Sequence, residues 1–149
     1  MTGPRLILAA LLAGAMAAPA LAQGASQYRW HLTAEGESAQ YGIPDSDDRA
    51  GRIDCEANGS LSLMAATASE AAEGEPVTVT VGDRQLAGVI VALGDGNNFS
   101  VALAPDDPAI VALVAGKDVQ IGSAGDAWAL PGKGAAKALK PLIAKCATR

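Results

Sequence analysis

Apolar and polar side chains alternate along most of the chain after residue 27, a period of two that is typical of β-strands with one buried face. The clearest case is Pro76–Val81, where three valines share one face and two threonines share the other. Short turn segments separate these runs, so antiparallel pairing of neighbouring strands is expected. The predicted strands are 28–32, 39–43, 51–56, 60–64, 76–81, 86–93, 99–103, 117–121 and 127–130.

One turn gives a specific pairing prediction. Asn58 and Gly59 form the dipeptide that favours a two-residue hairpin turn, because both of its central positions accept a positive φ. The flanking segments 52–56 and 60–64 are therefore predicted to pair as one hairpin.

Two segments depart from the period of two and predict helices. The sequence Asp106-Asp107-Pro108 is typical of a helix start, with an aspartate N-cap and a proline in the first turn. Ile110, Leu113 and Val114 follow at helical spacing, and Gly116 supplies a C-terminal stop. A short helix is therefore predicted between two strands.

The second helix is predicted over residues 133–146. Pro141 lies inside it, and a proline there removes a backbone hydrogen bond, so we expect a kink at Pro141 or a helix that begins only near Ala138. Its two faces differ in chemistry: Leu139, Leu142, Ile143 and Cys146 share the apolar face, and Lys133, Lys137 and Lys140 lie opposite.

These elements predict a mainly β fold: a small antiparallel β-sandwich or curled sheet of about eight strands, with one short internal helix and a C-terminal helix. A single domain is expected over residues 23–149, and residues 1–22 are not expected to be part of its fold. Residues 1–22 combine Arg5, an apolar run and the small-x-small site Ala20–Ala22, which is the pattern of a cleaved secretory signal peptide. The predicted location is therefore periplasmic or secreted, with no integral membrane segment after cleavage.

Secretion changes how the two cysteines are interpreted. In an oxidising compartment Cys55 and Cys146 allow a single pairing, so a structural disulfide is predicted. The bridge would close a loop of about 90 residues, and the chain-entropy model gives about 4–5 kcal/mol for such a loop. A metal pair would need about four ligands, and a redox pair usually has C-x-x-C spacing.

Charge excludes some partners. Eleven Lys and Arg stand against 16 Asp and Glu, a net charge of −5, so nucleic acid is not an expected partner. The acidic turn, residues 44–48, lacks the glycine and distal glutamate of a calcium loop and is interpreted as solvated. Lys133, Lys137, Lys140 and Lys145 form the one basic cluster that the sequence shows, and it could meet an acidic partner.

No catalytic, cofactor or metal residue is predicted. His31 is the one histidine, and a strand with Trp30 inward would turn it outward, away from a nucleophile. The segment 130–134 lacks the Ser or Thr that a phosphate-binding loop places after its lysine.

The C-terminal third has a recognisable layout: Ile110–Leu113, Gly116-Lys117, the strand Val119–Ile121, Leu130–Gly132, and Lys140–Cys146. This layout resembles small uncharacterised periplasmic proteins of alphaproteobacteria. It is also similar in plan to the invasion-associated locus B proteins and to small periplasmic accessory proteins of type VI secretion. The resemblance implies a secreted, β-rich accessory protein and carries over no catalytic residue.

The leading hypothesis is a non-enzymatic binding or accessory protein of the bacterial envelope, with another envelope or secreted protein as its partner. One alternative is a small inhibitor of a lysozyme or protease that presents the loop 65–75 or the acidic turn. Another is a hydrolase whose carboxylates meet only in the fold, for which Asp54 and Glu56 beside Cys55 are the residues to check for burial.

Overall fold

A computed structural model describes residues 27–66, 72–93, 96–123 and 126–149 of the chain. The predicted signal peptide, residues 1–22, lies outside the described residues, as does the middle of the predicted loop 65–75. Within the described ranges the chain forms nine strands and two helices. The strands are β1 Arg29–Leu32, β2 Ser38–Gly42, β3 Arg49–Cys55, β4 Leu61–Ala66, β5 Pro76–Val81, β6 Arg84–Leu93, β7 Gly96–Leu103, β8 Val119–Ser123 and β9 Asp126–Leu130, and the helices are α1 Pro108–Val114 and α2 Ala135–Cys146.

All nine strands belong to one antiparallel sheet in the order β1-β2-β3-β4-β7-β6-β5-β8-β9. The sheet curls into a half-barrel, which confirms the mainly β class and the two predicted helices. Of the two predicted arrangements the curled sheet is correct and the sandwich is wrong, because all the described strands pair into a single sheet.

The predicted pairing of β3 with β4 is confirmed, but the predicted two-residue turn is wrong. The N–H of Gly59 donates to the carbonyl of Glu56 at 3.0 Å and that of Glu56 to the carbonyl of Ser60 at 2.9 Å, so the loop holds residues 57–59, and of these only Gly59 has a positive φ. β3 and β4 pair from Gly51 with Ala65 to Cys55 with Leu61. In the turn, Gly59 has a φ of +80°, and the side chain of Asn58 accepts a hydrogen bond from the backbone N–H of Ser60 at 3.0 Å. The turn chemistry therefore sets the register that brings Cys55 to its position.

Helix α1 begins as its sequence predicts. The Asp107 carboxylate accepts a hydrogen bond from the backbone N–H of Ala109 at 2.8 Å, and Pro108 occupies the first turn. This cap satisfies one of the donors that a helix start leaves unpaired. Ala109, Ile110 and Leu113 face the core, which leaves the opposite side of α1 exposed.

Helix α2 lies within the predicted range 133–146, and of the two expectations for Pro141 the late start near Ala138 is wrong. It begins at Ala135, three residues before Ala138, and continues through Pro141 to Cys146. The proline removes the hydrogen bond that would reach the carbonyl of Lys137. Lys137 and Pro141 are both exposed, so the proline lies on the side of α2 that faces water rather than the core.

The core lies inside the curl of the sheet, and α2 packs across it against β1, β2 and β3. Leu139 and Leu142 of α2 are fully buried there. The two ends of the sheet also approach one another: a side chain on Gly51 would lie 2.5 Å from a methyl group of Leu130, and the Trp30 indole N–H donates to the carbonyl of Pro131 at 2.6 Å. The N-terminal strands and the segment after β9 therefore meet across the core.

Candidate functional site

The two cysteines lie at the ends of elements that pack together. Cys55 is the last residue of β3 and Cys146 the last residue of α2, and their Cα atoms are 5.5 Å apart, joined by a disulfide. This is the pairing that the sequence predicts, and the bridge fixes the end of α2 to the sheet. The described residues contain no free cysteine.

One flank of α2, which we call the fixed flank, carries a cluster of charges beside this bridge. Lys145 Nζ lies 2.6 Å from Glu37 Oε1 and donates to the carbonyl of Glu35 at 2.6 Å. Arg149 contacts Glu37 as well, and it donates to the carbonyl of Cys55 at 3.3 Å. The hydrogen bond from Lys145, helped by the positive charge of Arg149, lowers the pKa of Glu37. Lys145 is thus engaged and does not belong to the exposed basic cluster.

The other flank of α2, which we call the open flank, faces α1 across a groove. This groove between α1 and α2, which we call the open groove, has a volume of about 340 Å³ and is mostly apolar. Its lining combines side chains of both helices with the loop before α1: Pro105, Ile110, Val111, Val114, Lys140, Ile143 and Ala144.

Val111 is the most prominent side chain of this region. It is 59% exposed, and Val89 on β6, at 50%, is the other large hydrophobic side chain found so exposed in the described residues. On its far side Val111 also lines a second, more polar depression of about 540 Å³, between α1 and the β5–β6 turn. Val111 therefore forms an apolar ridge between the two depressions. The feature that points to an interaction is the apolar groove beside it, because exposed apolar grooves mark binding sites more often than single exposed side chains do.

The basic face, defined as Lys133, Lys137 and Lys140, lies on the exposed surface next to the open groove. Lys140 lines the groove itself. In the part of the chain that the structure describes, none of the three has an ion-pair partner within 4.0 Å. The predicted lysine surface thus exists, and it adjoins an apolar groove that the sequence analysis did not foresee.

The glycine-rich segment before α2 is a tight strand-to-helix turn. The N–H of Gly132 donates to Asp118 at 2.8 Å, and a side chain at Gly132 would lie 2.2 Å from the carbonyl oxygen of Lys117. This close approach of the two backbones explains why a glycine is needed at position 132, and a phosphate-binding role is not required to account for it.

The acidic turn is stabilised by its own hydrogen bonds. Asp45 has a φ of +61°, and the Ser46 hydroxyl accepts from the N–H of Asp48 at 3.1 Å. The Tyr28 hydroxyl donates to Asp48, and this hydrogen bond is the main cause of the raised pKa of Tyr28. Among the described residues no group of three or more His, Cys, Asp or Glu is arranged to hold a metal ion.

His31 lies closer to the acidic turn than the sequence suggests. It lines a shallow polar depression of about 540 Å³ together with Glu35, Gln40, Asp45 and Asp47. Its Nδ1 is 3.2 Å from the carbonyl of Arg29, and its ring is half-buried. The pairing of His31 with Gln40 across β1 and β2 produces this placement, and register of that kind is not readable from a single strand.

The carboxylates that flank Cys55 are not buried. Asp54 is half-exposed and forms an ion pair with Arg52 at 3.0 Å, and Glu56 is exposed. This pair therefore does not supply the enclosed carboxylate site that the hydrolase alternative needs.

Three aromatic side chains of the N-terminal strands form a cluster that the sequence pattern does not predict. Trp30 and Tyr41 are paired across β1 and β2 with ring centroids 5.6 Å apart, and Tyr28 lies 5.9 Å from Tyr41. Alternation places Tyr28 and Trp30 on one face, but the contact with Tyr41 depends on strand register.

Together these features describe a curled antiparallel sheet with a helix fixed across its opening and one exposed, partly basic, partly apolar flank. A solved structure with a similar fold is invasion associated protein B from Bartonella henselae, with a TM-score of 0.53 and 17% identity over 80% of this chain and 93% of that chain. At this identity the likeness shows the fold alone. No protein-family model and no curated protein matches the chain. No helix in the described ranges is long and apolar enough to cross a membrane.

Proposed function

We propose that this chain is a non-enzymatic binding or accessory protein of the bacterial envelope, periplasmic or secreted, with another envelope or secreted protein as its partner. The observation that carries the proposal is the open flank of α2, where the exposed ridge of Val111, an apolar groove and the unpaired lysines of the basic face adjoin. Apolar patches that are rimmed by polar residues mark interaction sites or ligand-binding grooves.

Two further observations support the location and the class. A disulfide between Cys55 and Cys146 suits an oxidising compartment outside the cytoplasm. The fold is similar to that of a protein described as associated with invasion, which fits an accessory protein in general terms.

The proposal is tested by photo-cross-linking in bacteria that export the full chain. A photoreactive residue replaces Val111, and a matched chain carries it at Val89, the comparably exposed valine of β6. We expect a discrete cross-linked protein from position 111 in the envelope fraction and none from position 89. Equal products from both positions, or none from position 111, would contradict the proposal.

A second candidate function, inhibition of a hydrolase, is favoured by one observation. The acidic turn is exposed and is braced by the hydrogen bonds of Ser46 and Tyr28 with Asp48, as suits a loop that a scaffold presents to a partner. A panel of lysozymes and proteases at equimolar protein distinguishes the two functions. A binding module leaves all activities unchanged, whereas a stoichiometric block that Asp47→Lys abolishes would establish the inhibitor.

A further inference from the structure

We infer that the open groove binds an acidic, amphipathic segment of a protein partner, docked along α2 with its apolar side chains between the two helices. This inference rests on the proposed function and names the chemistry of the partner. Three properties of the open flank support it: its shape, the sign of its charge and the size of its side chains.

The shape fits a helical or short extended segment. The lining of the open groove is formed by Val111 and Val114 from α1 and by Ile143 and Ala144 from α2, so its walls run along two helices. Its volume of about 340 Å³ lies at the low end of the range for ligand sites, roughly 300–1,000 Å³. A groove of this size accepts the anchoring side chains of one amphipathic segment, which is a common mode of peptide recognition.

The charge of the flank selects an acidic segment. Lys140 lines the groove, Lys137 and Lys133 continue the positive charge toward the start of α2, and no carboxylate belongs to the groove lining. Helix α2 contains no Asp or Glu that could compete for these lysines. Glu37, which lies just before β2, contacts α2 only on the fixed flank, where it is paired with Lys145 and Arg149. A protein with a net charge of −5 thus presents a local positive surface that would repel basic partners and attract acidic ones.

The side chains of the flank favour a protein over a lipid surface. Helices that lie in a membrane interface insert large residues such as Trp, Phe and Leu. Here the exposed apolar side chains of the lining are Val111 and Ala144, and the larger Ile143 is half-buried. The leucines of α2, Leu139 and Leu142, are fully buried under the sheet and cannot insert. Anionic lipid is therefore the outcome that the test must separate from an acidic peptide.

The probe is a fluorescent, helix-forming peptide of about 15 residues, with leucines at i, i+3, i+4 and i+7 spacing and glutamates on the opposite face. Its control keeps the leucines and replaces every glutamate by lysine. Fluorescence anisotropy with the full chain is expected to show saturable binding of the acidic peptide only. Binding should weaken as salt rises, because the screening length falls to about 8 Å at physiological ionic strength.

Two substitutions and one control place the binding in the groove. Val111→Asp and Lys140→Glu are each expected to weaken binding about tenfold or more, the size of effect typical of a central interface residue. Val89→Asp introduces the same charge at a similarly exposed valine of β6 and is expected to leave affinity unchanged. Circular dichroism of all three variants should match the parent chain, since none of the substituted side chains is buried.

Several results would overturn the inference. These are equal binding of the lysine peptide, no saturable binding of the acidic one, or an equal loss of affinity in Val89→Asp. Sedimentation with phosphatidylglycerol vesicles that depends on Lys140 would assign the face to lipid instead. If position 111 cross-links to an envelope protein while the acidic peptide fails to bind, the proposed function stands and only the chemistry assigned to the partner is wrong.

Discussion

The fixed flank and the open flank belong to the same helix but contact their surroundings in different ways. On the fixed flank, Cys146 is bonded to Cys55, and Lys145 and Arg149 share the carboxylate of Glu37. On the open flank, Lys140 and Ile143 face α1 across a groove, and Val111 is mostly exposed. A helix whose C-terminal end is held by a disulfide and by ion pairs is already in place when a partner arrives, which lowers the entropy cost of binding to its open flank.

The comparison separates residues that maintain the fold from residues that are available to a partner. Substitutions on the fixed flank and in the core beneath α2 should change the free energy of unfolding. Substitutions on the open flank should change binding and little else. The following predictions test that separation in order of decreasing effect on stability.

Loss of the disulfide should have the largest effect. Replacing both Cys55 and Cys146 by serine is expected to lower the free energy of unfolding by about 4 kcal/mol, because the bridge closes a long loop in the unfolded chain. Urea denaturation followed by circular dichroism measures this change. The matched control is the parent chain under reducing conditions, whose free energy of unfolding should fall by a similar amount. If the double serine variant loses less than about 1 kcal/mol, the bridge is not structural.

Neighbouring residues of α2 should differ in their effect. Leu142→Ala removes a fully buried side chain and is expected to cost about 3 kcal/mol. Ile143→Ala truncates a half-buried side chain at the groove and should cost about 1 kcal/mol, because fewer contacts are lost. The same urea experiment compares them. Equal costs would mean that the groove side of α2 is packed as tightly as its core side.

The carboxyl group of Glu37 should give a smaller, pH-dependent effect. Its pKa is lowered in the folded state, so its stabilising contribution is present above the ordinary value of 4.5 and disappears as the pH falls through the lower folded pKa. Glu37→Gln should therefore reduce stability near neutral pH and make no difference in strong acid. Melting temperatures measured from neutral to acidic pH test this expectation, with Glu56→Gln, an exposed glutamate, as the matched control. A Glu37 effect that persists unchanged in acid would contradict the assigned ion pairs.

The smallest effect on stability should come from the ridge itself. Val111→Ser changes an exposed side chain, and its free energy of unfolding should stay within about 0.5 kcal/mol of the parent. Differential scanning calorimetry checks this. Leu113→Ser, which changes a buried side chain of α1, is the comparison and should have a much lower melting temperature. A strongly destabilised Val111→Ser would show that Val111 supports the fold and would remove it from the binding surface.

The elements that local pattern specifies were predictable. The alternation in Pro76–Val81, the hairpin around Asn58 and Gly59 and the Asp107 cap each depend on residues within a few positions of one another. The structure confirms the strand, the pairing of the hairpin and the cap, although the hairpin turn is one residue longer than predicted. The helix of residues 133–146 was also predictable, but the alternative start near Ala138 is wrong, because Pro141 is exposed and is accommodated inside α2.

The arrangement of those elements was not predictable in the same way. β4 pairs with β7 and β5 pairs with β8, and such long-range neighbours depend on the closure of the whole sheet rather than on any one strand. Only that closure brings Glu37 to Lys145 and α1 beside α2. The lysines were visible in the sequence, but the apolar groove beside them is a product of the tertiary fold.

The approach of the two sheet ends gives the molecule its own optical probe. The chain has two tryptophans, Trp30 in β1 and Trp128 in β9, so each edge strand of the sheet carries one. Trp30 is buried and hydrogen-bonded to the carbonyl of Pro131, whereas Trp128 is half-exposed. Separation of the edges would shift the emission of Trp30 to longer wavelength as water reached the indole. Intrinsic fluorescence of the parent chain can therefore report whether β1 and the segment after β9 stay in contact, without any added label.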